Sequence, residues 1–235
     1  MLNKLESRAA LYSTLALAFA YPQEGMDFEL VVLELEDAVA LAAQAGVSPD
    51  AASLRASLNN LHSAIRQLPS SDFSPAEEYT FLFHRQALCP PYESSYSLAG
   101  MEQSLADISG FYRAFGMQMS PAAHERVDHI GCELEFMAVL CAKEAHALRN
   151  EMLEQAQICR DARASFLRDH LGCWASAFAS RVQEKARLPL YPALTEILAS
   201  LIASEAEDLG VSLASALGES AIAAGTPEGE DMSCD

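Results

Sequence analysis

Residues 79–96, YTFLFHRQALCPPYESSY, run from an aromatic helical stretch into a pair of prolines. A glutamate, two hydroxyls and two tyrosines follow close behind. Immediately upstream, Ser74-Pro75-Ala76-Glu77 reads as a helix start: a serine cap, proline at the first helical position, and a glutamate placed to close a capping box. Pro90 and Pro91 end that helix or prevent a new one, because each lacks an amide donor and restricts the residue before it. The segment is therefore a helix running into an irregular connector over about 85–100. Two readings of its side chains stand together. The tyrosines pack and nothing more, or Tyr92, Glu93 and Tyr96 make a rigid aromatic and acidic ledge for a polypeptide.

Outward from this stretch the periodicity is helical. The spacing predicts helices over about 4–20, 27–45, 50–68, 75–87, 101–115, 121–153, 161–186 and 191–207, with a weaker one at 211–223. Leu54, Leu58, Leu61, Ile65 and Leu68 form one stripe after Ser48-Pro49-Asp50. Leu105, Ile108, Phe111, Tyr112 and Phe115 form another, stopped by Gly116. Ser120-Pro121 is read as the start of the longest helix, and Pro189 separates the last two. No run alternates long enough for a sheet, and there is no internal repeat. The expectation is an all-α, single helical domain of about eight helices over 1–224. The glycine- and acid-rich end, 225–235, is expected to be a disordered acidic tail.

The chain has 235 residues, half of them apolar, and a formal charge of −18 from 33 acids against 15 bases. A chain of this length can bury one substantial core. The charge argues against nucleic acid and against anionic membranes, and it suits a basic polypeptide partner. No Lys or Arg follows Arg187, while Glu196, Glu205, Glu207 and Asp208 begin an acidic C-terminal part that reads as solubilising or steering surface. The six cysteines include no CxxC pair and several sit at apolar helical positions, as free thiols of a reducing compartment do. Cys132 and Cys141 are too far apart along one helix to bridge. The apolar stretch 9–21 is too short to span a bilayer and reads as a retained first core helix. A cytoplasmic protein without stable membrane insertion is expected, a monomer or weak dimer.

A second informative stretch is residues 125–140, ERVDHIGCELEFMAVL. On a helix, Glu125, His129 and Glu133 share one edge beside an apolar stripe of Val127, Ile130, Leu134, Met137 and Cys141. Asp128 projects about 100° away from His129. These groups either tether the helix to the Pro90–Tyr96 connector or contact a ligand. A metal reading finds no HExxH and no second ExxH segment, so no metal is expected. No G-x-S-x-G elbow, Walker loop or GxGxxG is present, and no catalytic residue is assigned. Trp174, with Leu167, Leu171 and Phe178, reads as core whose indole needs a local acceptor. His170 reads as a packed polar edge.

Both stretches resemble the TorD/DmsD/NarJ family of redox-enzyme maturation chaperones. Tyr79, Leu82 and Phe83, then Pro90, Pro91, Glu93, Ser94 and Tyr96, are similar to its helix end and proline–glutamate–serine signature. Asp128-His129, Glu133-Leu134 and Phe136-Met137 resemble its second signature. Phe166, His170, Trp174, Phe178, Val182 and Leu190-Tyr191 are similar to its C-terminal helices. The likeness runs from about Leu5 to Ile202 and departs at Arg85-Gln86-Ala87, where the family often has an aromatic or glycine–proline. The resemblance implies a chaperone, not an enzyme, with no cofactor of its own. Its partner would be the immature catalytic subunit of a molybdopterin-containing oxidoreductase, together with that subunit's twin-arginine leader. It would support cofactor insertion and delay export. A NarJ-like assembly factor that reads no leader, and a helical metal-dependent enzyme, are the alternatives. The implied client-binding set is Phe83, Pro90, Pro91, Tyr92, Glu93, Ser94, Tyr96, Asp128, His129, Glu133 and Phe136. Asp128, Glu93 and Glu133 would be the acidic contacts; Tyr92, Tyr96, Phe83 and Phe136 would be the apolar ones.

Overall fold

The computed structural model describes residues 1–22, 28–47, 51–84, 87–96, 101–119 and 125–213. Its α-helices are α1 Leu2–Ala18, α2 Phe28–Gln44, α3 Ala51–Gln67, α4 Pro75–Phe83, α5 Met101–Ala114, α6 Ile130–Arg149, α7 Leu153–Phe166, α8 Gly172–Lys185 and α9 Leu190–Leu209. The expected all-α class holds: among the described residues the strand-like pairing is one isolated bridge, Tyr92 with His129. The starts expected at Ser48-Pro49-Asp50 and Ser120-Pro121, the stretch from residue 214 onward and Cys234 lie outside the described residues.

Local chemistry sets the helix ends. Ser74 Oγ accepts from the Glu77 amide at 3.2 Å, and Glu77 Oε2 accepts from the Ser74 amide at 2.7 Å, which completes the capping box read from the sequence. Such a cap stabilises a helix by about 1 kcal/mol. Gly116 closes α5 at φ +73°, a conformation that disfavours a Cβ, and the Met117 amide returns to Tyr112 O at 2.8 Å. α4 ends at Phe83, well before Pro90. His84 is already extended, and the Cys89 amide folds back to Leu82 O at 2.8 Å. The expected helix over 75–87 is thus shorter, and the fold-back ends it before the prolines do.

α1 and α6 pack together at the centre. α2 lies against α1, α7 against α6, and α9 against α3 and α8. Leu11, Leu15, Leu35, Leu134, Met137, Phe166, Phe178 and Leu194 are fully buried in the shared core. The helix expected over 121–153 is corrected to Ile130–Arg149. The next helix, α7, runs through a π-turn, Leu167–Leu171, into α8. At the end of that turn a Cβ on Gly172 would collide with the Leu167 carbonyl oxygen, so glycine is what the wider turn accepts.

One polar network lies inside this core. Arg163 donates to Glu144 at 2.5 Å and to Glu205 at 2.8 Å, and Arg8 meets the other Glu205 oxygen at 2.7 Å. Arg163 and Glu205 are fully buried, and Arg8 is nearly so. The network joins α1, α6, α7 and α9. Glu205 therefore does not belong to the acidic surface expected of the C-terminal part: two arginines are its reason for being inside.

Candidate functional site

The connector is held against the chain just before α6. The Glu93 amide donates to Asp128 O at 3.0 Å and the Ile130 amide donates to Pro91 O at 2.9 Å. Between them sits the Tyr92–His129 bridge, with the two rings edge to face at 5.3 Å. Pro91 suits this short pairing because only its carbonyl is used, and that is all proline offers. Pro90 is half-buried and Pro91 buried.

Asp128 has no exposed surface. Its carboxylate accepts from Arg126 Nε and Nη2, both at 2.9 Å, and from the Ser94 amide at 3.2 Å. Arg126 also donates to Ser94 Oγ at 2.6 Å and lies over the Tyr92 ring, 4.4 Å from its centroid. Tyr92 in turn donates its hydroxyl to Glu125 Oε2 at 2.5 Å. The Tyr112 hydroxyl donates to Val127 O at 2.9 Å, pinning the same corner from α5.

His129 is the N-cap of α6 and not a residue within it: Nδ1 accepts from the Gly131 amide at 3.0 Å. The ring is buried and, among the described residues, Nε2 has no hydrogen-bond partner. Burial holds His129 below its ordinary pKa, against the upward pull of Glu125 and Asp128, so the ring is neutral at physiological pH. The shared helical edge expected of Glu125, His129 and Glu133 is corrected accordingly. Residues 125–129 pair with the connector instead, and α6 begins only at Ile130. Main-chain pairing and the Asp128 and His129 side-chain bonds compete here with helix and prevail.

Glu133 is fully buried in the first turn of α6 and does not reach His129. Its Oε2 accepts from Trp174 Nε1 at 3.1 Å, the acceptor expected for that indole. Burial, with Glu93 nearby, pushes the Glu133 carboxyl well above the usual carboxylate range. Glu93 is buried too, accepting from Ser104 Oγ, with His170 Nδ1 at 3.1 Å. The acidic half of the expected ledge is thus turned inward, because α5 and the π-turn supply its partners. His170 is packed edge to face with Phe111, and its Nε2 lies 3.3 Å from the exposed Asp107 carboxylate.

The aromatic residues divide. Tyr96 is half-buried and stacked on Trp174 at 5.4 Å; Tyr92 is half-buried under Arg126. Phe83 packs against Tyr79, Phe178 and Tyr191, and Phe136 against Tyr112 and Phe166. Both phenylalanines, expected as apolar contacts, are buried in the core. What faces outward is Ser95 and Arg126, with Tyr92, Ser94 and Glu125 half-buried beside them, while Tyr96 stacks inward with its hydroxyl buried. Arg126 was not singled out by sequence reasoning; its place two residues before a buried aspartate is the signal that could have found it. Among the described residues no group of three or more His, Cys, Asp or Glu is arranged to hold a metal, and no helix is long and apolar enough to cross a membrane.

Comparison with known proteins adds three relatives and one family. The nitrate reductase delta subunit family matches residues 48–180, which include the connector, the Asp128-His129 corner and Trp174. The perchlorate reductase assembly chaperone protein of Dechloromonas aromatica is 30% identical over 105 residues, 45% of this chain and 46% of that protein. The selenate reductase assembly chaperone protein of Thauera selenatis is 34% identical over 116 residues, 47% of this chain and 59% of that one. The chlorate reductase assembly chaperone protein of Ideonella dechloratans is 33% identical over 84 residues, covering 36% and 42%. The matches span about half the length of each relative.

Proposed function

The chain belongs to the nitrate reductase delta subunit family of redox-enzyme maturation chaperones, and from that membership we propose that it binds the immature catalytic subunit of a reductase. The client is a molybdopterin-containing oxidoreductase held before cofactor insertion, and the twin-arginine leader of that subunit is part of what is held. The work is binding in the cytoplasm, not turnover. Release follows loading, and export is delayed until then.

The observation that supports this reading is the corner at Tyr92 and His129. A short extended segment is locked to the start of α6 by main-chain bonds, and its outer side carries Tyr92, two serine hydroxyls and the exposed Arg126. Such a surface gains affinity from its aromatic anchor and specificity from charge-assisted hydrogen bonds. In this role Pro90 and Pro91 set the connector's path. Asp128, Glu93, Tyr96, His129 and Glu133 hold its shape from within, while Tyr92 and Ser94 meet the client.

The test is capture of the client subunit by the full chain, with the subunit prepared free of cofactor, loaded with cofactor, and lacking its leader. Selective capture of the cofactor-free form is expected, weaker without the leader. Equal capture of the loaded form would overturn the reading. A second reading is an assembly factor for a nitrate-reductase-type enzyme that ignores any leader. It predicts that capture is unchanged when the leader is removed.

A further inference from the structure

Five glutamates of the described residues are buried, and four of them have an arginine or an imidazole beside them. Glu78 has Arg187, Glu144 and Glu205 share Arg163, and Glu93 has the His170 ring. Among the described residues Glu133 has neither. The Trp174 indole donates to its Oε2, Oε1 is buried without a hydrogen-bond partner, and the charges that act on it are the carboxylates of Glu93 and Asp128. An ionised carboxylate with no cation and one neutral donor is costly in such a place, so Glu133 keeps its proton. A protonated carboxyl seeks an acceptor, and the Glu93 carboxyl lies within its hydrogen-bonding reach.

Glu93 is the connector's own side chain, held also by Ser104 Oγ and by His170 Nδ1 at 3.1 Å. Trp174, on the far side of Glu133, stacks on Tyr96 of the same connector. Around the two glutamates stand Asp128 before α6, Cys132 on α6, Tyr112 and Asp107 on α5, His170 in the π-turn and Cys173 on α8. Burial pushes Tyr112, Cys132 and Cys173 up, so each is neutral near pH 7. Asp128 already has Arg126, and His170 lies between Glu93 and Asp107. No member of this set brings a cation to Glu133.

We propose that a proton held between Glu133 and Glu93 latches the connector to α6, and that loss of this proton opens the connector locally while the helices stay folded. Without the proton, two carboxylates face each other out of water, and repulsion and lost hydration both act to part them. The connector, with only a three-residue turn of its own, yields before the 20-residue helix α6 does. Once open, Glu133 meets water and ionises near the ordinary value of about 4.3. Raising the pH therefore favours the open form, by about tenfold per pH unit until the closed form also loses its proton. The latch is a property of the chain alone and does not rest on the client reading.

Cys89 reports the opening. It is fully buried beside Tyr96, whereas Cys141 is fully buried within α6 and is reached when the core itself unfolds. The full chain is treated with N-ethylmaleimide from about pH 6 to 9, and the rate at each cysteine is read by mass spectrometry of its peptide. Each rate is divided by that of the same cysteine in the urea-unfolded chain, which removes the thiol's own pH dependence. The Cys89 rate should exceed the Cys141 rate by about tenfold or more and rise about tenfold per pH unit before levelling. Glu133→Gln should make the Cys89 rate independent of pH. Glu93→Gln keeps the shape but holds the proton less firmly, so its rate should level at lower pH than wild type. Equal rates at Cys89 and Cys141, or a flat wild-type Cys89 rate, would overturn the latch. So would a Glu133→Gln chain that keeps the slope, or a Glu93→Gln chain that levels where wild type does. Should either variant fail to fold, the wild-type slope at Cys89 and its excess over Cys141 decide.

Discussion

Arg126 grips both carboxylate oxygens of Asp128, only two residues away, while its guanidinium lies over Tyr92. The aspartate that looks from the sequence like a receptor for a client's arginine already holds one of the chain's own. Its carboxylate also fixes the Ser94 amide, so it shapes the connector from inside.

Asp128→Asn keeps the shape but loses a charged, bidentate bond in a buried setting. It should lower unfolding stability by about 1–3 kcal/mol. Arg126→Gln leaves the buried Asp128 carboxylate without its cation and should cost a similar amount, about 1–3 kcal/mol. Both should weaken client capture, because both loosen the Tyr92–Ser94 surface. Urea unfolding and client capture on the same preparations check this. If Arg126→Gln strengthens capture, the client's own cation takes the Asp128 carboxylate, and the positioning role assigned here is wrong.

The legible parts of this fold are those set by neighbours in the chain. Ser74-Pro75-Ala76-Glu77 makes its capping box within four residues, and Gly116 ends α5 through its own backbone freedom. The corner at Asp128 was misread because helical spacing continues smoothly through Val127, Ile130 and Leu134. What breaks the helix is pairing with Pro91 and Glu93, more than thirty residues earlier, and no local pattern carries that. The same limit hid the partners of Trp174 and Arg163. Arg163 did leave a trace: it falls in line with buried Ala156, Cys159 and Phe166, a charge on an apolar stripe.

That arginine yields a stability prediction. Glu205→Ala would leave Arg163 and Arg8 in the core without their shared carboxylate. Breaking a buried pair from one side costs about 3–5 kcal/mol. Urea unfolding should show a large fall in midpoint. A change below about 1 kcal/mol would mean that water reaches the network on loss of the glutamate.

Gly172→Ala tests the π-turn. In an ordinary helix interior this exchange gains up to about 1 kcal/mol. Here the new methyl would strike the Leu167 carbonyl oxygen and the Leu213 side chain. The carbonyl belongs to the turn itself and cannot yield alone, so a loss of about 1–3 kcal/mol is expected. A gain in thermal stability would show that the chain reverts to regular α-helix at this point at no cost.

The last prediction concerns pH, where two buried groups act with opposite sign. Glu133 is held well above its ordinary range, chiefly by burial and then by Glu93, so the folded chain keeps a proton that the unfolded chain gives up. Its contribution is complete below the unfolded value of about 4.3 and is lost as pH rises toward the folded value. The slope is at most about 1.4 kcal/mol per pH unit. Glu133→Gln retains an oxygen for the Trp174 indole and cannot ionise. It should match wild type near pH 4.5 and become progressively more stable than it toward pH 8. His129 is held below its ordinary value by burial, so the unfolded chain takes up a proton that the folded chain refuses. Stability is lost as pH falls below about 6.5. His129→Asn keeps an acceptor for the Gly131 amide at the N-cap and should flatten that acid limb while leaving the alkaline one unchanged. Unfolding free energies from pH 4.5 to 8 for the three chains measure both limbs. If Glu133→Gln tracks wild type throughout, Glu133 is ionised in the folded chain, and a cation or ordered water at its free oxygen becomes the thing to look for.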